Sequence, residues 1–453
     1  MLSTWFTPLV VLVLFKTALC QQYILNSEER RYGVLRRFSV PAIVPDALKV
    51  AQAHDLDVWR ATDSFLDIYS PPDYPLLPDA LGTIPHTSTQ ISTSVPKQLR
   101  SNLSWNLSTL TNTSFHDTYH PLQEVESFLE QLVATYPNVT RLTNLGHSAE
   151  GREMFALTIS SGEYKNAKKK KKKKEKERKG RTPRESEKLG FVIVGAQHAR
   201  EWIASSTSLY LAHALVANVS ETYSMSSLLD HFDFHIIPVP NPDGYHYTWE
   251  TDRLWYKNRQ IVGPYTKCVG LDMNRCVGYK WKATPVERDF NLTRGEDTRP
   301  REPVNPCSHW YPGTRPFESP EVNNIANWIG ILPNVVAFLD LRSYGQMLSS
   351  PYSYSCKRLP KDAEDLMEAA LGASNALKKT GSLCSLLYPA PGNIVDWMYA
   401  REAIKYSYVA HLRDTGTYGF LLPEKWIRPT GEETTGLIDY LSRFIARNDG
   451  KSM

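Results

Sequence analysis

His198 and Glu201 stand three residues apart in the segment Gly195-Ala196-Gln197-His198-Ala199-Arg200-Glu201-Trp202. This segment leaves a continuous apolar run, Phe191 to Gly195, of the kind found in fully buried strands, and enters a helix from about Ile203 to Ala217. An imidazole and a carboxylate so spaced, on a turn at a strand end, can both face one cation, and open α/β sheets place their sites along that edge. By itself the spacing is common: a surface histidine followed by an acidic residue that the helix dipole favours has the same pattern. Three further segments follow in one order: Asn241-Pro242-Asp243-Gly244-Tyr245, Asp272-Met273-Asn274-Arg275, and the run from His411-Leu412-Arg413-Asp414-Thr415-Gly416 to Pro423.

Together the four segments resemble the zinc metallocarboxypeptidases of the pancreatic A/B type, from about Pro121 onward. Within that family the chain is similar to fungal inactive carboxypeptidase-like proteins linked to cell-wall organisation. The resemblance implies a zinc ion held by two histidines and one glutamate, with water at the open position. It also implies a separate glutamate that takes the water's proton and an arginine that stabilises the tetrahedral oxyanion.

Carried over position by position, that machinery is incomplete. His198 and Glu201 match two metal ligands. The third lies in a motif reading Asp-x-His-Ser-Tyr, here Asp340-Leu341-Arg342-Ser343-Tyr344, so Arg342 stands in the histidine's place. A guanidinium stays protonated and has no lone pair to give a metal. The general base precedes Leu-Arg-Asp-Thr-Gly, which puts His411 where the family has glutamate; an imidazole accepts a proton but brings no negative charge. The oxyanion arginine follows the tryptophan of Arg253-Leu254-Trp255, which puts Tyr256 there. Losing one oxyanion donor alone costs about two to three orders of magnitude in rate. The expected protein is therefore a carboxypeptidase relative that does not hydrolyse; the alternative is an active zinc carboxypeptidase releasing apolar C-terminal residues.

Two arrangements of the altered metal site are open. In one, Arg342 pairs with Glu201 and supplies the positive charge without metal. In the other, His411 joins His198 and Glu201 to rebuild a three-ligand zinc site.

On the binding side the resemblance is better kept. Asn274 and Arg275 match the pair that grips a peptide's terminal carboxylate, where a planar guanidinium offers two prongs. Arg200 and Tyr388 match positions near the scissile end, and Val395, beside Ile394, falls at the specificity pocket, where an apolar pair argues against a Lys or Arg side chain. A plain ion pair of Arg275 with Asp272 or Asp414 is the competing reading. The expected partner is a peptide or protein C-terminus. The resemblance also implies a Cys268–Cys307 disulfide, with Cys356–Cys384 as the second choice and Cys276 left as a thiol.

The elements that must hold these residues follow from pattern. Strand-like runs at Met154 to Ser160, Phe191 to Gly195, Phe234 to Val239 and Val335 to Leu341 alternate with helical stretches such as Leu122 to Tyr136. That alternation predicts an α/β fold, a large mixed β-sheet flanked by helices. Ahead of it, Val34-Leu35, Phe38-Ser39-Val40, a helix over Asp46 to Ala53 and a strand at Phe65 to Tyr69 make a small αβ unit, which resembles a pro-segment. The expected division is a secretory signal over 1–20, the pro-segment-like unit over 21–72, a glycosylated linker over 73–116 and the carboxypeptidase-like domain over 117–448.

With 453 residues, 42% of them hydrophobic, the chain can bury a proper core. The formal charge is +4, and the seven lysines from Lys168 to Lys174 exceed it by themselves. The remainder is close to neutral, which gives no reason to expect a nucleic-acid partner. The Lys-rich stretch 165–188 reads as a solvated disordered insertion. An apolar run from Pro8 to Phe15 ending in Ala18-Leu19-Cys20, and sequons at Asn102, Asn106, Asn112, Asn138, Asn218 and Asn291, point to the secretory pathway, secreted or vacuolar. Without Cys20 five cysteines remain, an odd number that implies two bridges and one thiol in an oxidising compartment. No run is long enough to span a membrane.

Overall fold

The computed structural model describes residues 32–73, 77–94, 104–161, 188–264, 266–282, 305–374 and 379–449. The chain divides into two units, Met1–Pro96 and Lys97–Met453. The expected signal segment and nearly all of the Lys-rich stretch lie outside the described residues.

The first unit holds β1 (Tyr32–Phe38), α1 (Val44–Ala53), β2 (Asp57–Ala61), β3 (Leu66–Ser70) and β4 (Thr87–Ser92). The strands pair antiparallel in the order β2-β3-β1-β4. Helix α1 buries Val44, Ala47, Leu48 and Ala51, the i, i+3, i+4, i+7 stripe of an amphipathic helix, and packs on β2 and β3. Arg37 forks onto both oxygens of the buried Asp67 at 2.6 Å.

Two expectations for the linker over 73–116 are corrected here. Thr87–Ser92 is a strand, paired with β1 from Tyr32↔Ser92 to Arg37↔Thr87. Its alternating Ser, Thr and Gln read as linker because only Ile91 turns inward. Leu107, Leu110 and Phe115 are buried in the main core of the second unit, so this part of the stretch is packed rather than suspended. The sequon residues Asn106, Asn112, Asn138 and Asn218 are exposed; Asn102 and Asn291 lie outside the described residues.

The second unit begins with α2 (Leu122–Thr135), β5 (Thr140–His147), β6 (Glu153–Ile159), β7 (Leu189–Val194), α3 (Trp202–Val216), β8 (Phe232–Ile237) and α4 (Pro242–Glu250). It continues with α5 (Pro320–Ile331), β9 (Val335–Arg342), β10 (Met347–Ser350), α6 (Ala363–Ala373), β11 (Lys379–Ser382), α7 (Ile394–Ala400), β12 (Tyr406–His411) and α8 (Ile427–Asn448). The strands form one mixed sheet in the order β11-β10-β12-β9-β7-β8-β6-β5, with β8, β7, β9 and β12 mutually parallel at its centre.

Side-chain alternation decides which helices cover which face. Phe191, Ile193, Leu339 and Leu341 join the cluster that holds α2, α3 and α8, while Val192, Val194 and Phe338 join the cluster that holds α5 and α7. Strands sandwiched in this way must be apolar on both faces, which accounts for the continuous runs in the sequence. Helix α3 is buried along its whole length between the sheet and the outer helices, its small Ser205 to Ser208 run and His213 included.

Candidate functional site

The parallel strands deliver their carboxyl ends to one edge. Strand β7 exits through Gly195 into the turn carrying His198 and Glu201; β9 ends at Arg342 and β12 at His411. Gly195 is required there, since a Cβ would lie 2.2 Å from the Pro238 carbonyl oxygen. In the parallel pairing of β12 with β9, His411 stands in register with Arg342.

Arg342, His198 and Glu201 form one buried cluster, at 4%, 3% and 2% exposure. The Arg342 guanidinium forks onto the carboxylate, Nε donating to Glu201 Oε2 at 2.8 Å and Nη2 to Oε1 at 3.1 Å. Nη2 also meets Nδ1 of His198, and Nη1 reaches Asp340 Oδ2 at 3.4 Å. On its far side His198 uses Nε2 to bond Asp272 Oδ1 at 2.8 Å. Asp272 accepts and never donates when ionised, so Nε2 carries hydrogen and leaves Nδ1 as an acceptor for Arg342.

The charges hold one another. Burial would raise the Glu201 carboxyl, but the charge and bonds of Arg342 outweigh it and bring the pKa to about 2. Asp272 is likewise opposed by burial and held at about 2 by His198 and Arg275. Asp340 is pushed up to about 6 by burial, only partly offset by Arg342 and a bond from Gln197. Burial disfavours the Arg342 charge, yet Glu201 and Asp340 raise it well above the ordinary arginine value.

These residues do not fit zinc. The lone pairs of His198 Nδ1 and Glu201 that a metal needs are occupied by a guanidinium. Among the described residues no group of three or more His, Cys, Asp and Glu side chains is arranged to hold a metal ion.

Tyr256 lies on this cluster, its ring against that of His198 with centroids 3.6 Å apart and a tilt of 30°. Burial raises its hydroxyl well above the usual phenol value, so it stays neutral. Arg200, expected beside the ligand, is enclosed instead: it is 1% exposed, with its guanidinium between the rings of Tyr256 and Phe420 at 4.7 and 4.3 Å. An aromatic at position 256 offers that cation a π face, and a second guanidinium there would repel it.

A second group lies toward the neighbouring loops. Arg275 donates through Nη2 to the Tyr388 hydroxyl at 3.3 Å and through Nη1 to the Asn274 carbonyl at 3.0 Å. Asp272 is 4.0 Å away, at the outer limit of an ion pair, and Asp414 accepts from Gly416, Tyr418 and Gly419 within its own loop. Asn274 accepts from the Ile394 amide at 3.3 Å, which ties it to the start of α7. Gly392, at φ +77°, lets the chain pass the Arg275 carbonyl, where a Cβ would lie at 2.3 Å. Val395 is fully buried and clusters with Leu383, Val409 and Leu387, an apolar environment next to the Arg275 group.

Other motif residues are structural. Asn241 caps α4 by accepting from Gly244 and donates to the Gln197 and Lys257 carbonyls, bracing the His198 turn. Asp243 receives Ser148, Glu150 and Arg152. Sequence reasoning offers Asp272 only as a partner for Arg275 and misses its bond to His198; its place ahead of Asn274 and Arg275 was the available signal. Cys268 is bonded to Cys307 and Cys356 to Cys384, while Cys276 is a buried thiol facing the Asp272 and Pro312 carbonyls. No helix among the described residues is long and apolar enough to cross a membrane.

Comparison with known proteins places this geometry. The zinc carboxypeptidase family profile matches residues 125–436. The inactive metallocarboxypeptidase ECM14 of Paracoccidioides brasiliensis (strain Pb03) is 34% identical over 475 residues, covering 93% of this chain and 74% of that relative. Among solved structures, bovine thrombin-activatable fibrinolysis inhibitor in complex with tick carboxypeptidase inhibitor is 32% identical with a TM-score of 0.60, covering 74% of this chain and all of that one. The crystal structure of thrombin activatable fibrinolysis inhibitor is 27% identical with a TM-score of 0.71, covering 92% of this chain and all of its own.

Proposed function

The chain belongs to the zinc carboxypeptidase family, and we propose that it is a non-hydrolytic member, exported through the secretory pathway, that holds peptide C-termini. One observation carries the reading: Arg275 and Tyr388 are joined at 3.3 Å, with Val395 in an apolar cluster, and this supports a carboxylate grip in a chain whose motifs put Arg342, Tyr256 and His411 at the family's catalytic positions. A terminal carboxylate takes the two-pronged grip of Arg275, and an apolar side chain suits the Val395 cluster.

Relatives named inactive support the loss of hydrolysis. Two disulfides and four exposed sequon asparagines support export, since structural disulfides persist in oxidising compartments. In this reading the first unit corresponds to a pro-segment, and a role in cell-wall organisation follows from the likeness to the fungal proteins.

Calorimetry of the full chain tests the binding claim. A peptide ending in leucine should bind, and the same peptide amidated at its C-terminus should not. Equal affinity for the two would remove the carboxylate from the account.

A further inference from the structure

We infer that Arg342 is the resident cation of the buried centre: its guanidinium takes the place between His198 and Glu201 that a divalent metal would occupy, and the folded domain needs no metal there.

The argument is one of shared acceptors. Nη2 of Arg342 serves both His198 Nδ1 and Glu201 Oε1, and Nε serves Oε2. A metal would bind through the same nitrogen and the same carboxylate, so the two occupants exclude each other. Bidentate geometry and a planar fork make the guanidinium a good fit for this carboxylate.

Enclosure makes the exchange costly in one direction. All three side chains are at least 95% buried. A metal entering would displace Arg342 and leave its charge unpaired in the core, and breaking a buried pair is strongly destabilising. The backbone amide of Ser343 points at Glu201 Oε2 from 3.4 Å, and Asp340 faces the third guanidinium nitrogen, so the carboxylate and the arginine are both held on other sides. Arg275 meets this arrangement only through Asp272 at 4.0 Å, and zinc content is read separately from peptide binding, so the two readings can fail independently.

The test uses the full chain and the variant Arg342→His, each purified in the presence of zinc and then dialysed. Metal content, zinc calorimetry and thermal unfolding are read for both. The wild type should carry no stoichiometric zinc, give no binding heat and unfold at the same temperature in zinc and in chelator. Arg342→His should take up one zinc per chain, with a chelator-reversible rise of several degrees in its midpoint, because three protein ligands and a water complete a zinc site. Stoichiometric zinc in the wild type overturns the inference, and so does a well-folded Arg342→His that binds none. Should that variant not fold, Arg342→Met and the double variant Arg342→Met/Glu201→Gln decide the matter. The double variant should recover stability that the single one loses, and no recovery overturns the claim.

Discussion

His411 and Arg342 are side by side in register at the ends of two parallel strands, β12 and β9. An imidazole and a guanidinium thus meet at adjacent strand ends of the sheet.

Restoring one group should therefore restore nothing. Arg342→His, His411→Glu and Tyr256→Arg are each expected to leave peptide hydrolysis undetectable, because groups that act as a unit contribute non-additively. The triple variant, loaded with zinc, is the one expected to release a C-terminal residue. Product release followed by mass spectrometry checks all four proteins.

Arg275→Ala should weaken a leucine-terminated peptide by roughly 10- to 100-fold, the loss of a charge-assisted hydrogen bond worth about 1.5–3 kcal/mol. Arg275→Lys should recover part of this, as a point charge without the fork. Calorimetry measures both, and the amidated peptide should be indifferent to either change.

Glu201→Gln leaves the Arg342 charge buried without its carboxylate and should destabilise the domain by about 3–5 kcal/mol. In the wild type the Glu201 pKa falls from 4.5 to about 2 on folding, so the pair contributes stability above pH 4.5 and loses it as pH falls towards 2. Urea unfolding of wild type and variant between pH 7 and 3 should show the gap between them narrowing only at the acid end.

His235 offers a separate pH test away from the site. It bonds Thr158 at 3.1 Å, meets Trp328 edge-on, and burial depresses its pKa from 6.5 to about 4. Its neutral form contributes stability above pH 6.5 that is lost as pH falls through 4, up to about 3 kcal/mol. Asp340 and Asp396, both raised to about 6 chiefly by burial, act in the opposite sense over part of that range. The comparison is therefore the difference between wild type and His235→Leu, and the variant should gain stability relative to wild type as pH falls from 6.5 to 4.

Much of this centre is legible in the sequence because strand ends and motif order fix it. The apolar run after the Lys-rich stretch can only be a doubly covered strand, and once it is placed, His198 and Glu201 must leave its carboxyl end. Arg342 follows from the Asp340-to-Tyr344 motif. What pattern does not carry is partnership at a distance. Asp272 receives His198 across 74 residues of chain, and the Tyr256 ring packs against His198 although hydrophobicity marks neither ring. Strand β4 escapes because Ser, Thr and Gln on an edge strand look like linker. Leu107 and Leu110 escape because isolated leucines among Asn and Ser show no period, although both are buried.

The most direct test of a binding protein without hydrolysis is prolonged incubation of the full chain with a leucine-terminated peptide, with binding and release measured on the same sample. The account predicts saturable binding and an intact peptide, unchanged by added zinc or chelator. Release of free leucine that a chelator abolishes would contradict it.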